Sequence, residues 1–282
     1  MSLLNDTAIV VLHFGSPEVT ETALETIRHW YPNPQSPRVF VVEHGVPSVT
    51  LERFRDVTRI SLPKNLGYGA GNNQGLRVAL DAGARLVILV NNDVRITPGA
   101  FEAMRRAADQ PTVGIVGFPV REPEGMVWGG GRVSWWALKT HLARQPTAPA
   151  ALHYIHGVCL GLTRACVERV GMLREDFFLY WEDVDYGLRA RRAGFTFAVA
   201  HASPLLHLSS LHGAGRETPK TYYLVRNAVY LVSEWGTLPA RWWVRVLTPL
   251  RRWVATVRGK RMVARALADA ARGVVGPAPT DL

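Results

Sequence analysis

Leu86-Val87-Ile88-Leu89-Val90-Asn91-Asn92-Asp93 sets the reading of this chain: a strand-length apolar run that ends abruptly in two amides and a carboxylate. A run of that size, bounded by polar residues, is a buried strand rather than a helix. Its neighbours repeat the theme. Upstream, Ala8–Phe14, Arg38–Glu43 and Val57–Leu62 read as strands. Between them Glu18–Trp30 reads as a helix with Ala23, Leu24, Ile27 and Trp30 on one face, and Gly71–Ala82 as one with Leu76, Ala79 and Leu80 turned inward. Downstream, Gly99–Ala108 is a helix and Val113–Phe118 a fifth strand. Alternating strands and helices predict an α/β fold with a mostly parallel central sheet flanked by helices. Ligands of such sheets gather beyond the carboxyl ends of the strands, where Glu43, the segment 65–73 and Asn91–Asp93 all fall.

The chain of 282 residues, 48% hydrophobic and 20% charged, is long enough for one sizeable core. Its net charge of +10 favours a polyanionic partner: nucleic acid, anionic lipid or a phosphorylated substrate. Cys159 and Cys166 form neither a disulfide framework nor a CxxC zinc site, and they read as core residues. The N-terminus lacks the basic and apolar regions of a signal peptide, and no apolar run approaches membrane-spanning length. A cytoplasmic protein, touching a membrane only peripherally, is the expectation.

Past Arg121 the pattern breaks into irregular loops and short strands rich in Gly, Trp and Pro until about Ala151. Helices are expected at Arg164–Val170 and Asp183–Ala193, and a strand at Phe195–Ala200 leads to His207. Three segments carry chemistry. Asn91-Asn92-Asp93 offers oxygen donors suited to a hard cation bridging a diphosphate, or else an Asx turn capping the next helix. Asn65-Leu66-Gly67-Tyr68-Gly69-Ala70-Gly71-Asn72-Asn73 is a glycine-rich turn opening a helix, either an anion-binding loop or an ordinary tight turn; its spacing fits neither the dinucleotide fingerprint nor the P-loop. Glu182-Asp183-Val184-Asp185, after Phe177-Phe178-Leu179-Tyr180-Trp181, puts acids in a first helical turn, where they either cap the helix or supply a general base.

In this order, these segments resemble glycosyltransferase family 2, in its rhamnosyltransferase-like and galactofuranosyltransferase-like branch. The resemblance runs from about Ala8 to Ser210 and includes Val41-Val42-Glu43, the Gly157…Arg164…Gly171 stretch and His207. It implies a GT-A-type nucleotide-diphospho-sugar transferase fold and a divalent cation, Mg²⁺ or Mn²⁺, held by Asp93 and His207. It makes Asp183 the general base, with Glu182 and Asp185 as supporting acids. Glu43 would face the nucleobase, while Asn65, Gly67, Tyr68, Asn73, Asn91 and Asn92 would line the nucleotide-sugar site with Asp93. Two departures stand out: relatives carry Asp where this chain has Glu43, and some carry Asp in place of Asn91. His212 is a rival to His207 for the metal.

The implied division is a catalytic domain over residues 1–218, with a nucleotide half to about 118 and an acceptor half over 119–218, then a helical extension over 219–282. In that extension Trp242, Trp243, Arg245, Arg251, Arg252 and Trp253 combine aromatic and basic residues at helical spacing, suiting an anionic membrane surface or, alternatively, packing on the catalytic domain or a dimer partner. The expected reaction is transfer of a hexosyl group, rhamnosyl from a dTDP-activated donor, with inversion, onto a saccharide or lipid-linked saccharide. The competing class is a basic α/β module that binds nucleotides or nucleic acid without turnover. The acids at 182–185 and the concentration of basic residues in the tail argue against a nucleic-acid partner.

Overall fold

In the computed structural model, residues 3–33, 37–45, 53–208 and 218–280 are described. The first 118 residues contain β1 (Thr7–His13), α1 (Pro17–Trp30), β2 (Arg38–His44), β3 (Thr58–Leu62), α2 (Tyr68–Asp81), β4 (Leu86–Asn91), β5 (Val94–Arg95), α3 (Ala100–Ala107) and β6 (Val113–Gly117). The next half adds β7 (Pro119–Glu122), β8 (Gly125–Trp128), β9 (Gly130–Ser134), β10 (Lys139–Leu142), β11 (Tyr154–Ile155), β12 (Cys159–Thr163), α4 (Arg164–Val170), α5 (Glu182–Arg192), β13 (Thr196–Val199) and β14 (Leu205–His207). The chain closes with α6 (Pro219–Trp235), α7 (Leu238–Val257) and α8 (Arg261–Ala271).

The main sheet has the order β13-β6-β12-β4-β1-β2-β3. It is parallel except at β12, which runs antiparallel between β4 and β6. β1 and the aliphatic part of β4 are buried on both faces, which is why they read as unbroken apolar runs. One face of the sheet packs on α1 and α3 through Leu24, Ile27, Phe101 and Met104, and the other on α2 and α5 through Leu76, Ala79, Tyr186 and Ala190. Cys159 and Cys166 are buried thiols within this core, as expected.

Several elements differ from the sequence reading. Helix α2 begins at Tyr68, not Gly71, so most of the glycine-rich segment is helix and only its first residues form a turn. Its glycines serve packing: a Cβ on Gly75 would lie 2.3 Å from Val10 Cγ1. Trp30 sits at the end of α1, 43% exposed, past the last buried turn. Between 121 and 151, where loops and short strands were expected without bounds, the strands are β8, β9 and β10, ordered by pairing of β8 with β7 and of β9 with β10 and β11. The strand at 195–200 does lead to His207, but through a separate, unexpected strand: His207 ends β14, which joins β5, β7 and β8 in a second sheet. His212 lies outside the described residues.

Candidate active site

The second sheet brings the metal-site candidates together. β14 pairs antiparallel with β5, placing His207 opposite Val94 and next to Asp93, whose carbonyl accepts a hydrogen bond from Leu208 N at 3.1 Å. His207 Nε2 stands 3.3 Å from Asp93 Oδ1, with both atoms shielded from solvent. Two adjacent ligands of an octahedral Mg²⁺ are about 3 Å apart, so this spacing suits a hard cation. The other ring nitrogen, Nδ1, lies 3.4 Å from Oε1 of buried Glu122 at the end of β7. A carboxylate behind a ligating histidine fixes its tautomer and ring orientation. Burial pulls the His207 imidazole down, but the carboxylates of Asp93 and Glu122 outweigh it and raise its pKa to about 9. His156, immediately before Gly157, is buried in the field of Glu122 and His207; desolvation lowers its pKa to about 4 and keeps it neutral.

Among the described residues, no group of three or more His, Cys, Asp or Glu side chains stands as a metal cage. A site with two protein donors is the arrangement that suits a cation brought in on a diphosphate, since such ions keep phosphate and water in their shell. The sequence reading missed Glu122 and His156. Glu122 falls in the segment read as irregular, and neither residue belongs to a motif; the one available hint was that His156 precedes Gly157.

The base candidate is built differently. Asp183 lies in the first turn of α5, its Oδ2 accepting from Gly157 N at 2.9 Å and its Oδ1 from Val184 N at 2.8 Å. Burial outweighs these hydrogen bonds and raises its pKa to about 6. Glu182 beside it is buried, and desolvation together with the Asp183 charge pushes it up to about 8. Asp185 faces elsewhere: Arg189 Nε donates to its Oδ2 at 2.7 Å and Trp235 Nε1 to its Oδ1 at 3.3 Å. It ties α5 to α6 rather than entering the site.

The glycine-rich segment meets Asp183 at Gly157. Tyr68 Oη donates to Gly157 O at 2.6 Å, and a Cβ on Gly157 would sit 3.4 Å from both Tyr68 Oη and Asp183 Oδ2. Gly67 has φ +87°, and a Cβ there would lie 2.2 Å from Phe178 O, so only glycine fits. Asn65 Oδ1 shapes that turn by accepting from Gly67 N at 2.8 Å. Asn73, expected to line the nucleotide pocket, is wholly buried and spends its amide on the segment ahead of α5: it donates to Leu173 O and Glu175 Oε1 and accepts from Leu173 N. Asn92 is likewise structural, donating to Phe14 O and Thr20 Oγ1 at 2.8 Å and holding the end of β1 against α1. Asn91 is half-buried at the mouth of β4, its N–H donating to Val158 O at 3.1 Å. Glu43 is buried at the same sheet edge, with Ser61 Oγ donating to its Oε2 at 3.4 Å and Arg59 Nε in an ion pair with that oxygen at 3.3 Å.

Comparison with known proteins agrees with this geometry. The model for glycosyl transferase family 2 matches residues 8–171. The chain is 28% identical over 240 residues to the N-acetylglucosaminyl-diphospho-decaprenol L-rhamnosyltransferase of Mycobacterium tuberculosis, covering 73% of this chain and 78% of that one. Among solved structures, GalNAc-T7 with UDP, GalNAc and Mn²⁺ superposes with a TM-score of 0.61 at 12% identity, over 81% of this chain and 47% of that one, so the chain spans about half its length. The mannosyltransferase of Pyrobaculum calidifontis in complex with GDP-Man and Mn²⁺ does so with a TM-score of 0.54 at 16% identity, over 94% and 86%. The architecture is therefore the GT-A fold, and the reading as a nucleotide-binding module without turnover gives way to a transferase. With more than half of its length matched by the family model, the chain belongs to glycosyltransferase family 2.

Proposed function

We propose that the chain is an inverting, metal-dependent hexosyltransferase moving rhamnose from dTDP-rhamnose to a hydroxyl of a saccharide carried on a lipid diphosphate. The observation that carries this reading is the half-buried Asp183 carboxylate held by Gly157 N, one residue before Val158, whose carbonyl accepts from Asn91 N at the end of β4, the strand that leads into the Asp93–His207 pair. The similarity to a transferase named for an N-acetylglucosaminyl-diphospho-decaprenol acceptor supports the sugar and the acceptor class. The Mn²⁺ in the GalNAc-T7 and mannosyltransferase structures supports the cation.

In this reading the Asp183 carboxylate takes the proton of the acceptor hydroxyl while the oxygen attacks the anomeric carbon. The bond from that carbon to the diphosphate breaks on the opposite face, and a single displacement inverts the centre. The N–H groups of Gly157 and Val184 hold both Asp183 oxygens, fixing the carboxylate before the acceptor arrives. A Mg²⁺ or Mn²⁺ on Asp93 and His207 would supply Lewis-acid neutralisation of charge on the leaving diphosphate. Glu122 keeps the His207 ring aimed at that position. Glu43, Asn65, Gly67 and Tyr68 stand on the nucleotide side, where Glu43 would read the base.

A lipid-linked acceptor calls for approach to a membrane. Among the described residues no helix is long and apolar enough to cross one. Helix α7, however, carries an exposed apolar stripe of Leu238, Trp242, Val246, Leu250, Trp253 and Val257 at three- and four-residue spacing. Residues 238–273 contain nine lysines and arginines against the single, buried acid Asp269. An apolar stripe flanked by one sign of charge suits an anionic bilayer and would repel a second copy of itself. Trp243 and Arg251 are turned toward the β9–β10 turn, where Trp243 meets Trp136 edge-on at 6.2 Å. They drop out of the lipid-facing set.

The test is a melting-temperature screen of dTDP, UDP, GDP and their sugar conjugates with and without Mn²⁺, because a ligand bound only by the folded state raises its stability. The expected result is the largest rise with dTDP-rhamnose and Mn²⁺, abolished in Asp93→Ala. A rise with another sugar nucleotide would replace the donor and keep the mechanism. No metal-dependent rise with any nucleotide would overturn the reading.

A further inference from the structure

The loop that delivers Asp183 is strained. Phe178, Tyr180 and Trp181 all have positive φ, at 66°, 65° and 77°, although none is glycine. Bulky residues hold that conformation only where surrounding contacts over-determine it. Part of the clamp is in the nucleotide half, where Tyr68 N donates to Phe178 O at 2.7 Å. The rest comes from helix α6, outside the segment that the family model covers.

Arg226 and Asn227 are wholly buried on that helix. Asn227 Nδ2 lies within donating distance of the carbonyls of Phe177, Leu179 and Tyr180, at 3.0, 2.9 and 3.0 Å. Arg226 NH2 donates to Phe177 O at 2.8 Å, NH1 to Gly276 O at 2.7 Å, and Nε to Asn227 Oδ1 at 2.9 Å, so the guanidinium also orients the amide. The same helix accepts Trp181 Nε1 at Leu224 O. Among the described residues no carboxylate is bonded to this buried guanidinium; spending it on backbone carbonyls and the Asn227 amide costs desolvation that packing alone would not require.

We infer that Arg226 and Asn227 are positioning residues for the transfer step: they hold the 177–181 loop in its strained form and thereby set the place and the burial of Asp183. This rests on Asp183 being the base. It makes the first helix of the C-terminal extension part of the catalytic machinery, so the division at residue 218 separates sequence patterns but not function.

The experiment compares Asn227→Asp, which keeps the shape of the side chain but removes its donors, and Arg226→Lys with a control on the same helix. The control is Tyr230→Phe, which loses the hydroxyl's bonds to Val274 O at 2.7 Å and Asp269 O at 3.3 Å and keeps the ring that stacks on Phe177. Turnover of the sugar nucleotide selected by the screen above, with Mn²⁺ and at saturating donor, is measured across pH. Calorimetry gives the affinity for the matching nucleoside diphosphate with Mn²⁺, and Asp183→Asn is run alongside. The expected result is a fall in turnover of up to about 100-fold in Asn227→Asp, as a displaced catalytic group gives, with nucleotide affinity within about twofold. The acidic limb of its pH profile moves to lower pH as Asp183 gains water. Arg226→Lys falls less, and Tyr230→Phe stays at the parent rate. If Asn227→Asp keeps turnover and an unmoved acidic limb, or if Tyr230→Phe loses as much, the inference is wrong. If Asp183→Asn itself keeps turnover, the base assignment fails instead.

Discussion

At the scale of single residues, Asp183 is a carboxyl group held at both oxygens by backbone N–H groups while burial works against its charge. With its pKa raised to about 6, turnover should climb with pH through about 6 rather than level off near 4. Stability runs the other way, because the folded state holds this proton more tightly than the unfolded one. That contribution is full below the ordinary aspartate range and is lost as pH rises through about 6. Asp183→Asn should lower turnover by about 10²- to 10⁴-fold with donor affinity kept, measured by steady-state kinetics beside calorimetry. Glu122→Gln should weaken Mn²⁺-dependent nucleotide binding by about 10- to 100-fold without touching a ligand, the usual cost of losing the group behind a metal-bound histidine. Unchanged affinity would leave Glu122 as core filling only. The sequence singled out Asp93, His207 and Asp183 because each sits in an ordered series of motifs, and the structure brings the first two within 3.3 Å of each other. It could not place Glu122, whose partner His207 is 85 residues away in the chain. Asp185 was legible in principle: its four-residue spacing from Arg189 is that of a helical ion pair, and that is where its charge goes.

Among the elements, α2 shows how packing and binding use the same residue type. Its glycine-rich start suggested an anion-binding loop or an ordinary tight turn, while Gly75, on the helix as expected, is held against β1 by the absence of a side chain. Gly75→Ala should therefore destabilise the protein by about 1–3 kcal/mol, the cost of overpacking a closed core, which urea unfolding would register. A neutral result would mean that Val10 can rotate away. Burial on both faces made β1 and β4 legible as unbroken apolar runs, and one buried face made α1 and α3 legible by their period. The strands between 119 and 142 were not, since short strands broken by glycine and tryptophan carry no period long enough to read, and they are defined by pairing with distant partners.

For the whole molecule, the helical extension serves two surfaces. Its inner face packs Val229, Val232, Ala240, Val244 and Leu267 into a cluster of its own, and its outer face is the stripe on α7. Replacing Trp242, Leu250 and Trp253 with Ser should abolish co-sedimentation with anionic vesicles and leave the melting temperature within a few degrees, since these side chains touch mostly solvent. Loss of the fold instead would make the stripe a packing face. The central claim is that one sheet edge joins a metal-held diphosphate to a carboxylate base for a single displacement. The measurement that bears on it most directly is NMR of the anomeric centre of the transferred sugar, using the donor that the nucleotide screen selects, for the parent protein and Asp183→Asn. The account predicts an inverted centre from the parent and no product at comparable enzyme and time from the variant. A retained configuration, or product formed by Asp183→Asn at the parent rate, would contradict it.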